Sequence, residues 1–254
     1  MSPTLPLRQR LRRLALLISL LLFPVTMNYL SPYVILDGAR QGIINGSLLV
    51  FAGLFVSSLF FGRLFCAWVC PAGGFGEVCT LVNNRPAPIR RLDWIKWLIW
   101  GIWLALIVYL AVSAGGYTRV NFTLDTVDGI SVAGDADRPA LFAYFIYYIV
   151  LGTFMTLSLT LGRRAGCHTI CWMSPFMILG RKLRNLAAWP ALRLVAEPAA
   201  CSDCKTCTRG CPMSLDVNAM VKAGQMEHSE CILCGMCADN CSKSAIRYSF
   251  SAGK

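Results

Sequence analysis

Two runs of four cysteines constrain this chain more than any other feature of its sequence. The first run is "CSDCKTCTRGCP", residues 201–212, and the second is "CILCGMCADNC", residues 231–241. Both have the spacing C-x2-C-x2-C-x3-C, so the second run is an internal repeat of the first. Any fold of this region must bring these eight thiols to a small number of common centres.

This spacing is typical of cysteines that bind two iron–sulfur cubanes. Three closely spaced thiolates surround one side of a [4Fe-4S] cluster, while the fourth cysteine of the same run binds the other cluster. A small α+β domain of the two-cluster ferredoxin type is expected here, with a strand at "AIRYSF". The first cluster is assigned Cys201, Cys204, Cys207 and Cys241, and the second is assigned Cys231, Cys234, Cys237 and Cys211.

Zinc sites and disulfide frameworks are the alternatives for so many cysteines. Zinc favours two C-x2-C pairs rather than two four-cysteine runs, and disulfides form in an oxidising compartment. The second run departs from the iron–sulfur pattern at one place, where Ser242 stands in the position that Pro212 has after the first run. Because proline is not a ligand, this departure leaves the predicted ligands unchanged.

The rest of the chain has the composition of a membrane protein. Hydrophobic residues make up 56% of the sequence and charged residues 15%, whereas about a quarter of a soluble domain is charged. Crossing a bilayer takes roughly 17–25 helical residues. We therefore expect an α-helical membrane bundle of four spanning helices. The four apolar stretches run from Leu14 to Leu30, Ile44 to Phe61, Trp94 to Ala111 and Leu141 to Leu161.

The positions of lysine and arginine predict how this bundle is oriented. Positive charge is concentrated before the first stretch, between the second and third, and after the fourth, which places both termini in the cytoplasm. The third connection is acidic, with Asp125, Asp128, Asp135 and Asp137 against Arg119 and Arg138. The arginines before the first stretch would also suit a secretory signal, but no small-x-small cleavage site follows. Membrane topology and anionic lipid explain the net charge of +11 without nucleic acid.

Four of the remaining five cysteines form two C-x3-C pairs. "GRLFCAWVCPAGGF" (residues 62–75) and "GRRAGCHTICWMSPF" (residues 162–176) share Gly-Arg, the cysteine pair, a proline and a phenylalanine. This likeness predicts a tandem repeat of two spanning helices followed by a C-x3-C pair. On a helix this spacing puts both thiols on one face, so facing pairs would offer four thiolates to iron or another thiophilic metal. These candidate ligands are Cys66, Cys70, Cys167 and Cys171.

The alternative is that these cysteines only pack, since free cysteine often serves as a small buried hydrophobe. The same interpretation is preferred for the lone Cys79. His168, inside the second pair, is either a metal ligand or a surface polar residue. Three parts result: residues 1–180 as the membrane domain, 181–196 as an amphipathic connector on the membrane surface or a linker helix, and 197–254 as the two-cluster domain.

These motifs resemble a known family over nearly the whole chain. The spans, the C-x3-C motifs and the double-cluster segment are similar to the membrane-bound ferredoxin-type quinol dehydrogenase subunit of periplasmic nitrate reductase systems. They also resemble the polyferredoxin half of the nitrous oxide reductase maturation regulator. The first motif matches the family's C-x3-C-P at Cys70 and Pro71, whereas Trp172 follows Cys171. The resemblance implies a role in passing electrons between the quinone pool or cytoplasmic donors and a periplasmic or membrane partner. Other redox subunits of a multi-subunit complex, in the cytoplasmic membrane of a bacterium or archaeon, are the expected partners.

Two hypotheses about function remain open. In the first, the chain is a membrane-anchored iron–sulfur protein that relays electrons between the quinone pool or a membrane partner and cytoplasmic redox partners. In the second, it is a maturation or metal-reducing assembly protein that uses the C-x3-C cysteines. None of the four predicted spans contains a histidine pair for haem, and no dinucleotide fingerprint, Walker loop or C-x-x-C-H motif is present in the sequence.

Overall fold

The computed structural model describes residues 5–133 and 139–252. Over these ranges the protein is helical, with two short two-stranded sheets. The α-helices are α1 Leu7–Leu21, α2 Phe23–Thr26, α3 Pro32–Gln41, α4 Gly46–Phe61, α5 Leu64–Trp68, α6 Pro71–Cys79, α7 Ile89–Ser113, α8 Ala140–Leu161, α9 Ala165–Thr169, α10 Ser174–Leu186, α11 Thr206–Arg209, α12 Val217–Lys222 and α13 Met236–Asp239. The strands are β1 Ile43–Asn45, β2 Arg119–Asn121, β3 Ala191–Ala196 and β4 Ile246–Ser251, and the 3-10 helices are Asn28–Leu30 and Pro198–Ala200.

The prediction of four spanning helices is wrong. Within the described ranges, two helices are long and apolar enough to cross a bilayer: Leu92–Ser113, which is part of α7, and Ala140–Leu161, which is α8. The tandem repeat of two spanning helices in each half is therefore wrong as well. Of the charges used to predict orientation, Asp135, Asp137 and Arg138 lie outside the described residues.

The first apolar stretch fails as a span because it breaks near a proline. α1 ends at Leu21, and α2 begins at Phe23 with Pro24 in its first turn. Proline has no N–H to donate to the preceding turn, so it starts a helix more easily than it continues one. The chain then passes through a 3-10 helix and reaches extended backbone at Ser31.

The second apolar stretch is too short. α4 has 16 residues, which at about 1.5 Å per residue spans roughly 24 Å, less than the roughly 30 Å of a bilayer core. Asn45 begins the helix by accepting a hydrogen bond from the Leu48 N–H at 2.9 Å. Gly62 ends it with φ of +57°, a conformation that favours glycine.

The two C-x3-C segments nevertheless share a local fold. In each, a glycine with positive φ ends a long helix: Gly62 follows α4 and Gly162 follows α8. A five-residue helix, α5 or α9, then carries the first cysteine. After the second cysteine comes a helix with proline in its first turn, α6 or α10. The sequence likeness therefore corresponds to one short structural unit that occurs twice.

The C-terminal part is joined to the helices through a shared core. β3 pairs antiparallel with β4, from Ala191 opposite Ser251 to Ala196 opposite Ile246. β4 contains all of the strand predicted from "AIRYSF" except its first residue, Ala245. The connector predicted for residues 181–196 instead forms the end of α10 and then β3. β3 also packs against α4. One continuous buried core contains all four C-x3-C cysteines together with cysteines of both C-terminal runs.

Candidate functional site

The C-x3-C cysteines of the two segments come together in one buried group. α5 carries Cys66 and α9 carries Cys167, and all four side chains are buried. Burial raises the pKa of Cys70, and the neighbouring thiols Cys66, Cys167 and Cys171 raise it further. Burial together with Cys167 and Cys66 raises the pKa of Cys171 to about 12. Each segment thus contributes thiols to a common centre, the four-cysteine site (Cys66, Cys70, Cys167 and Cys171).

Arg63, which directly precedes α5, is a buried arginine beside this site, with 1% of its side chain exposed. Burial opposes its ionisation, but the Glu230 carboxylate raises the pKa of Arg63. The thiols of Cys66 and Cys171 act in the same direction, so the guanidinium lies near one cysteine of each pair. Its Nη1 donates to the Ser229 carbonyl oxygen at 3.0 Å, which links the site to the segment before the second cysteine run.

Arg164 holds the corresponding place directly before α9 and is equally buried. Burial opposes its ionisation, but Glu77, 3.0 Å from Nη2, raises the pKa of Arg164. The thiols of Cys167, Cys234 and Cys70 act in the same direction, so the guanidinium also lies near a cysteine of the second C-terminal run. Nη1 donates to the Cys66 carbonyl oxygen at 3.0 Å, so this side chain joins the two C-x3-C segments.

The Glu230 carboxylate, also 1% exposed, is the centre of a buried ion cluster. It lies 3.1 Å from Arg63, 2.6 Å from the Lys96 ammonium and 3.1 Å from His168 Nδ1. Burial opposes its ionisation, yet Arg63 and His168 hold the pKa of Glu230 well below its usual range. The Asp93 carboxylate pairs with Lys96 and lies within 4.8 Å of the Glu230 carboxylate and of a ring nitrogen of His168. Because cations already neutralise both carboxylates, this cluster is an ion-pair network rather than a metal site.

The role of these buried charges is not evident from the sequence. There, Arg63 and Arg164 belong to the positive charges that predict the orientation of the bundle, and their partners Glu230 and Glu77 belong to no motif. The signal that could have revealed the arginines is the shared spacing R-x2-C, because Arg63 and Arg164 each stand three residues before the first cysteine of their pair. The carboxylates carry no comparable signal, because the ion pairs join residues far apart in the chain. His168 was the other open residue, and the structure buries it against Glu230.

The eight C-terminal cysteines line two separate cavities. One is lined by Cys201, Cys204, Cys207 and Cys241, and the other by Cys211, Cys231, Cys234 and Cys237. This grouping matches the sets assigned from spacing, and ligation itself stays a prediction. Two donors approach the sulfurs of the first set: Asn218 Nδ2 at 3.8 Å from Cys201 and the Ala245 N–H at 3.3 Å from Cys241.

Left-handed turns shape both cysteine runs. The residues on either side of the second cysteine have positive φ in each run: Asp203 and Lys205 in the first, Leu233 and Gly235 in the second. Such turns reverse the chain within three residues, so consecutive cysteines can face one cavity. A Cβ at Gly235 would come within 2.5 Å of the Tyr248 hydroxyl, so only glycine fits there.

The chemistry of the donors fits iron–sulfur clusters. Thiolate sulfur is the ligand that these clusters take, and each of the two C-terminal cavities offers four thiols. The four-cysteine site offers four more. Beside it, the buried Nε atoms of Arg63 and Arg164 have no hydrogen-bond partner among the described residues. Buried donors are normally paired, so these two suit a site built around an anionic group.

An apolar cavity of about 200 Å³ opens beside Cys171. Trp172 forms part of its wall and is held in place by donating from Nε1 to the Leu30 carbonyl oxygen at 3.0 Å. A second cavity of about 160 Å³ shares Ser31 and Tyr33 with the first. Aromatic and aliphatic walls with few polar groups are typical of sites for flat organic molecules. Other residues lining the first cavity are Phe23, Pro71, Phe75, Val150 and Phe154.

Two family models match the chain. One, described as a 4Fe-4S binding domain, covers residues 46–86 and therefore includes Cys66 and Cys70. The other, a 4Fe-4S dicluster domain, covers residues 193–242 and includes all eight cysteines of the C-terminal runs. No solved structure gives a significant match to the chain.

Curated relatives of low identity cover most of the chain. "Putative electron transport protein YccM" of Escherichia coli is 22% identical over 82% of this chain and 57% of its own length. MJ0749 of Methanocaldococcus jannaschii is 24% identical over 74% of this chain and 65% of its own length. "Methylamine utilization ferredoxin-type protein MauN" of Methylobacillus flagellatus is 24% identical over 85% of this chain and 75% of its own length. The chain thus spans less than two thirds of the first two relatives.

The ion cluster predicts a large effect of Glu230→Gln on stability. The amide would leave Arg63 and Lys96 buried without their shared anion, and breaking a buried pair in this way costs about 3–5 kcal/mol. We expect a marked fall in the thermal unfolding midpoint of the anaerobically purified protein. Glu197→Gln, the same substitution at an exposed glutamate, should leave the midpoint unchanged. An unchanged midpoint for Glu230→Gln would contradict the buried cluster.

Proposed function

We propose that this chain, which belongs to the ferredoxin-type 4Fe-4S proteins of electron transport, exchanges electrons between a membrane quinone and redox partners on the cytoplasmic side. The matched domains and the named relatives carry the general function, and two [4Fe-4S] clusters are its cofactors. The exchange with quinone rests on one observation: an apolar cavity has Cys171 of the four-cysteine site in its wall.

The proposed ligands of the two C-terminal clusters are the two cysteine sets that line separate cavities. We assign the four-cysteine site to a third iron–sulfur cluster, because the matched 4Fe-4S binding domain includes Cys66 and Cys70. Bound clusters supply one-electron acceptors, whereas oxidation of a quinol to a quinone releases two electrons and two protons. Thiols of the four-cysteine site and of the C-terminal runs belong to one buried core, which favours transfer between them.

The cavity would hold the quinone ring beside the four-cysteine site. Its aromatic walls, Phe75, Phe154 and Trp172 among them, would exclude water from the reacting ring. The second cavity shares Ser31 and Tyr33 and also reaches Asn28, so polar groups lie at that end. Protons released from a quinol would leave on this more polar side.

Membrane anchoring is part of the same proposal. α8 exposes Leu141, Phe145 and Tyr148 with 82%, 61% and 65% of their surface free. A contiguous apolar surface of this kind marks contact with lipid or with a partner protein. We assign α7 and α8 to the bilayer, and the clusters of arginine and lysine in the sequence favour the cytoplasmic side for the C-terminal clusters.

Cys66→Ser tests whether the four-cysteine site lies on the electron path. We expect loss of cluster reduction by a reduced quinone analogue, because one ligand of the proposed third cluster is removed. Dithionite should still reduce both C-terminal clusters, and electron paramagnetic resonance would report both reactions. Cys79→Ser, which changes the buried lone cysteine of α6, is the matched control and should behave like the unsubstituted protein.

Reduction of Cys66→Ser by quinol at the unsubstituted rate would show that the four-cysteine site is off the path. Tight copper or zinc binding by the unsubstituted protein, without any response to quinol, would favour the metal-handling hypothesis instead. Either result would contradict the proposed exchange with quinone.

Ala72→Phe tests the apolar cavity. Ala72 lines the cavity from α6, and a phenyl ring there would fill the space proposed for quinone. We expect at least a tenfold loss in the rate of quinol-driven reduction, with dithionite-driven reduction unchanged. Ala52→Phe on an exposed face of α4 is the control, since it adds the same ring outside the cavity. Equal quinol rates in both variants would place the quinone elsewhere.

A further inference from the structure

We propose that Arg63 and Arg164 are a matched pair of positioning residues that neutralise the loaded four-cysteine site and raise the reduction potential of its cluster. The inference rests on the proposed function, which assigns an iron–sulfur cluster to that site. It concerns two buried side chains that belong to neither the ligand sets nor the apolar cavity.

The two arginines occupy equivalent places in the repeated unit. Each lies between the positive-φ glycine that ends a long helix and the five-residue helix that carries the first cysteine. Arg63 lies near Cys66 of its own segment and Cys171 of the other. Arg164 lies near Cys167 of its own segment and Cys70 of the other, and also near Cys234 of the second C-terminal run. Arg63 acts on Cys167 as well, so at least one of the two arginines lies near each of the four thiols.

Close packing holds Arg164 in this place. Its guanidinium donates to the Cys66 carbonyl oxygen at 3.0 Å and lies over Gly73, where an added Cβ would be 3.2 Å from Nη1. A Cβ at Gly76 would come within 2.9 Å of Arg164 Cγ. The two glycines of α6 therefore leave room for the arginine to reach across from the other segment.

Each arginine also keeps an unused donor. The Nε atoms of Arg63 and Arg164 are buried and have no hydrogen-bond partner among the described residues. A buried donor without an acceptor costs about 1–3 kcal/mol. The same atom at both equivalent positions is unpaired, so the pair is suited to donate N–H bonds to an acceptor that the site itself receives.

The charge balance points to an anionic acceptor. Glu230 is shared by Arg63 and Lys96, and Lys96 also pairs with Asp93. Glu77 is shared by Arg164 and Arg12, so these four cations share three carboxylates. Side chains of all four cations are at most 1% exposed. Among the described residues, the fully buried cations thus outnumber the carboxylates that they share. An uncompensated buried charge costs several kcal/mol, so the excess is accounted for if the site holds an anion.

A cluster with four thiolate ligands is such an anion, and each added electron makes it more negative. Fixed positive charge stabilises the reduced form and therefore raises the reduction potential. Removal of either arginine should lower that potential. Removal of Glu77, which partly neutralises Arg164, should raise it.

The test is a redox titration of the full-length, anaerobically purified protein with dithionite, followed by electron paramagnetic resonance. Arg63→Gln and Arg164→Gln should each change the reduction equilibrium of the third cluster at least tenfold toward the oxidised form, which is about 59 mV for one electron. Arg63→Lys and Arg164→Lys keep the positive charge, so their reduction potentials should stay close to that of the unsubstituted protein. Arg10→Gln, at an exposed position of α1, should leave the potential unchanged.

Glu77→Gln should shift the reduction potential in the opposite direction. This measurement stays informative even if Arg63→Gln and Arg164→Gln fail to assemble the third cluster. A rise in potential would support the pair, whereas an unchanged or lowered potential would overturn it. Equal shifts in the lysine and glutamine variants would also overturn it, because packing rather than charge would then be responsible.

The titration separates this inference from the proposed function. If the unsubstituted protein contains no third cluster, the assignment of the four-cysteine site fails, and the role of the arginines fails with it. If the third cluster is present and its potential ignores both arginines and Glu77, only the role of the arginines fails.

Discussion

The structure depends on neutralising charge in a place that excludes water. Glu230, directly before the second cysteine run, forms ion pairs with Arg63 of the first C-x3-C segment and with Lys96 of α7. Such a pair is costly to bury and more costly to break, so it fixes how its two segments meet. Through it, the C-terminal cysteine runs are attached to the helices that carry the other four thiols. The path proposed for electrons needs this attachment, because separate domains would leave the centres free to move apart.

Two glutamates organise the region in parallel ways. Glu230 joins the first C-x3-C segment to the C-terminal part, and Glu77 joins the second segment to α1 through Arg164 and Arg12. Each of these two glutamates is shared by more than one cation, and Asp93 is a second partner of Lys96. Four buried cations thus share three carboxylates, which leaves positive charge available to the thiols between them. An apolar cavity adjoins the same thiols at Cys171. Cysteine thiols, buried cations and an apolar cavity therefore lie within one small volume.

The cysteine spacing was enough to predict iron–sulfur cofactors, but hydropathy was not enough to predict which helices are long enough to cross a bilayer. Ligand spacing is a local property, so the two runs predicted the grouping of eight thiols around two cavities. Hydropathy is also local, and it overestimated the number of spanning helices. It does not register the helix break near Pro24 or the short length of α4. The repeated motif also predicts that Cys66 and Cys167 belong to one site, and a metal bound there stays a prediction.

What could not be predicted depends on contacts between distant parts of the chain. The pairing of Arg63 with Glu230 joins residues that no local pattern connects, and the cavity beside Cys171 arises where α2, α6 and α8 meet. Charge counting assigned the arginines to membrane orientation, although the structure buries Arg12, Arg63, Arg164 and Arg184. An arginine near a membrane helix can help to set the orientation of that helix, or it can neutralise a buried anion. Composition does not distinguish these two roles.

The central claim is that the four-cysteine site holds an iron–sulfur cluster in addition to the two of the C-terminal runs. Iron and acid-labile sulfide per chain, measured on anaerobically purified full-length protein, test it most directly. The account predicts about twelve irons with matching sulfide if the third cluster is a cubane. About eight irons, the content of two cubanes, would contradict it and leave the four buried thiols without a metal.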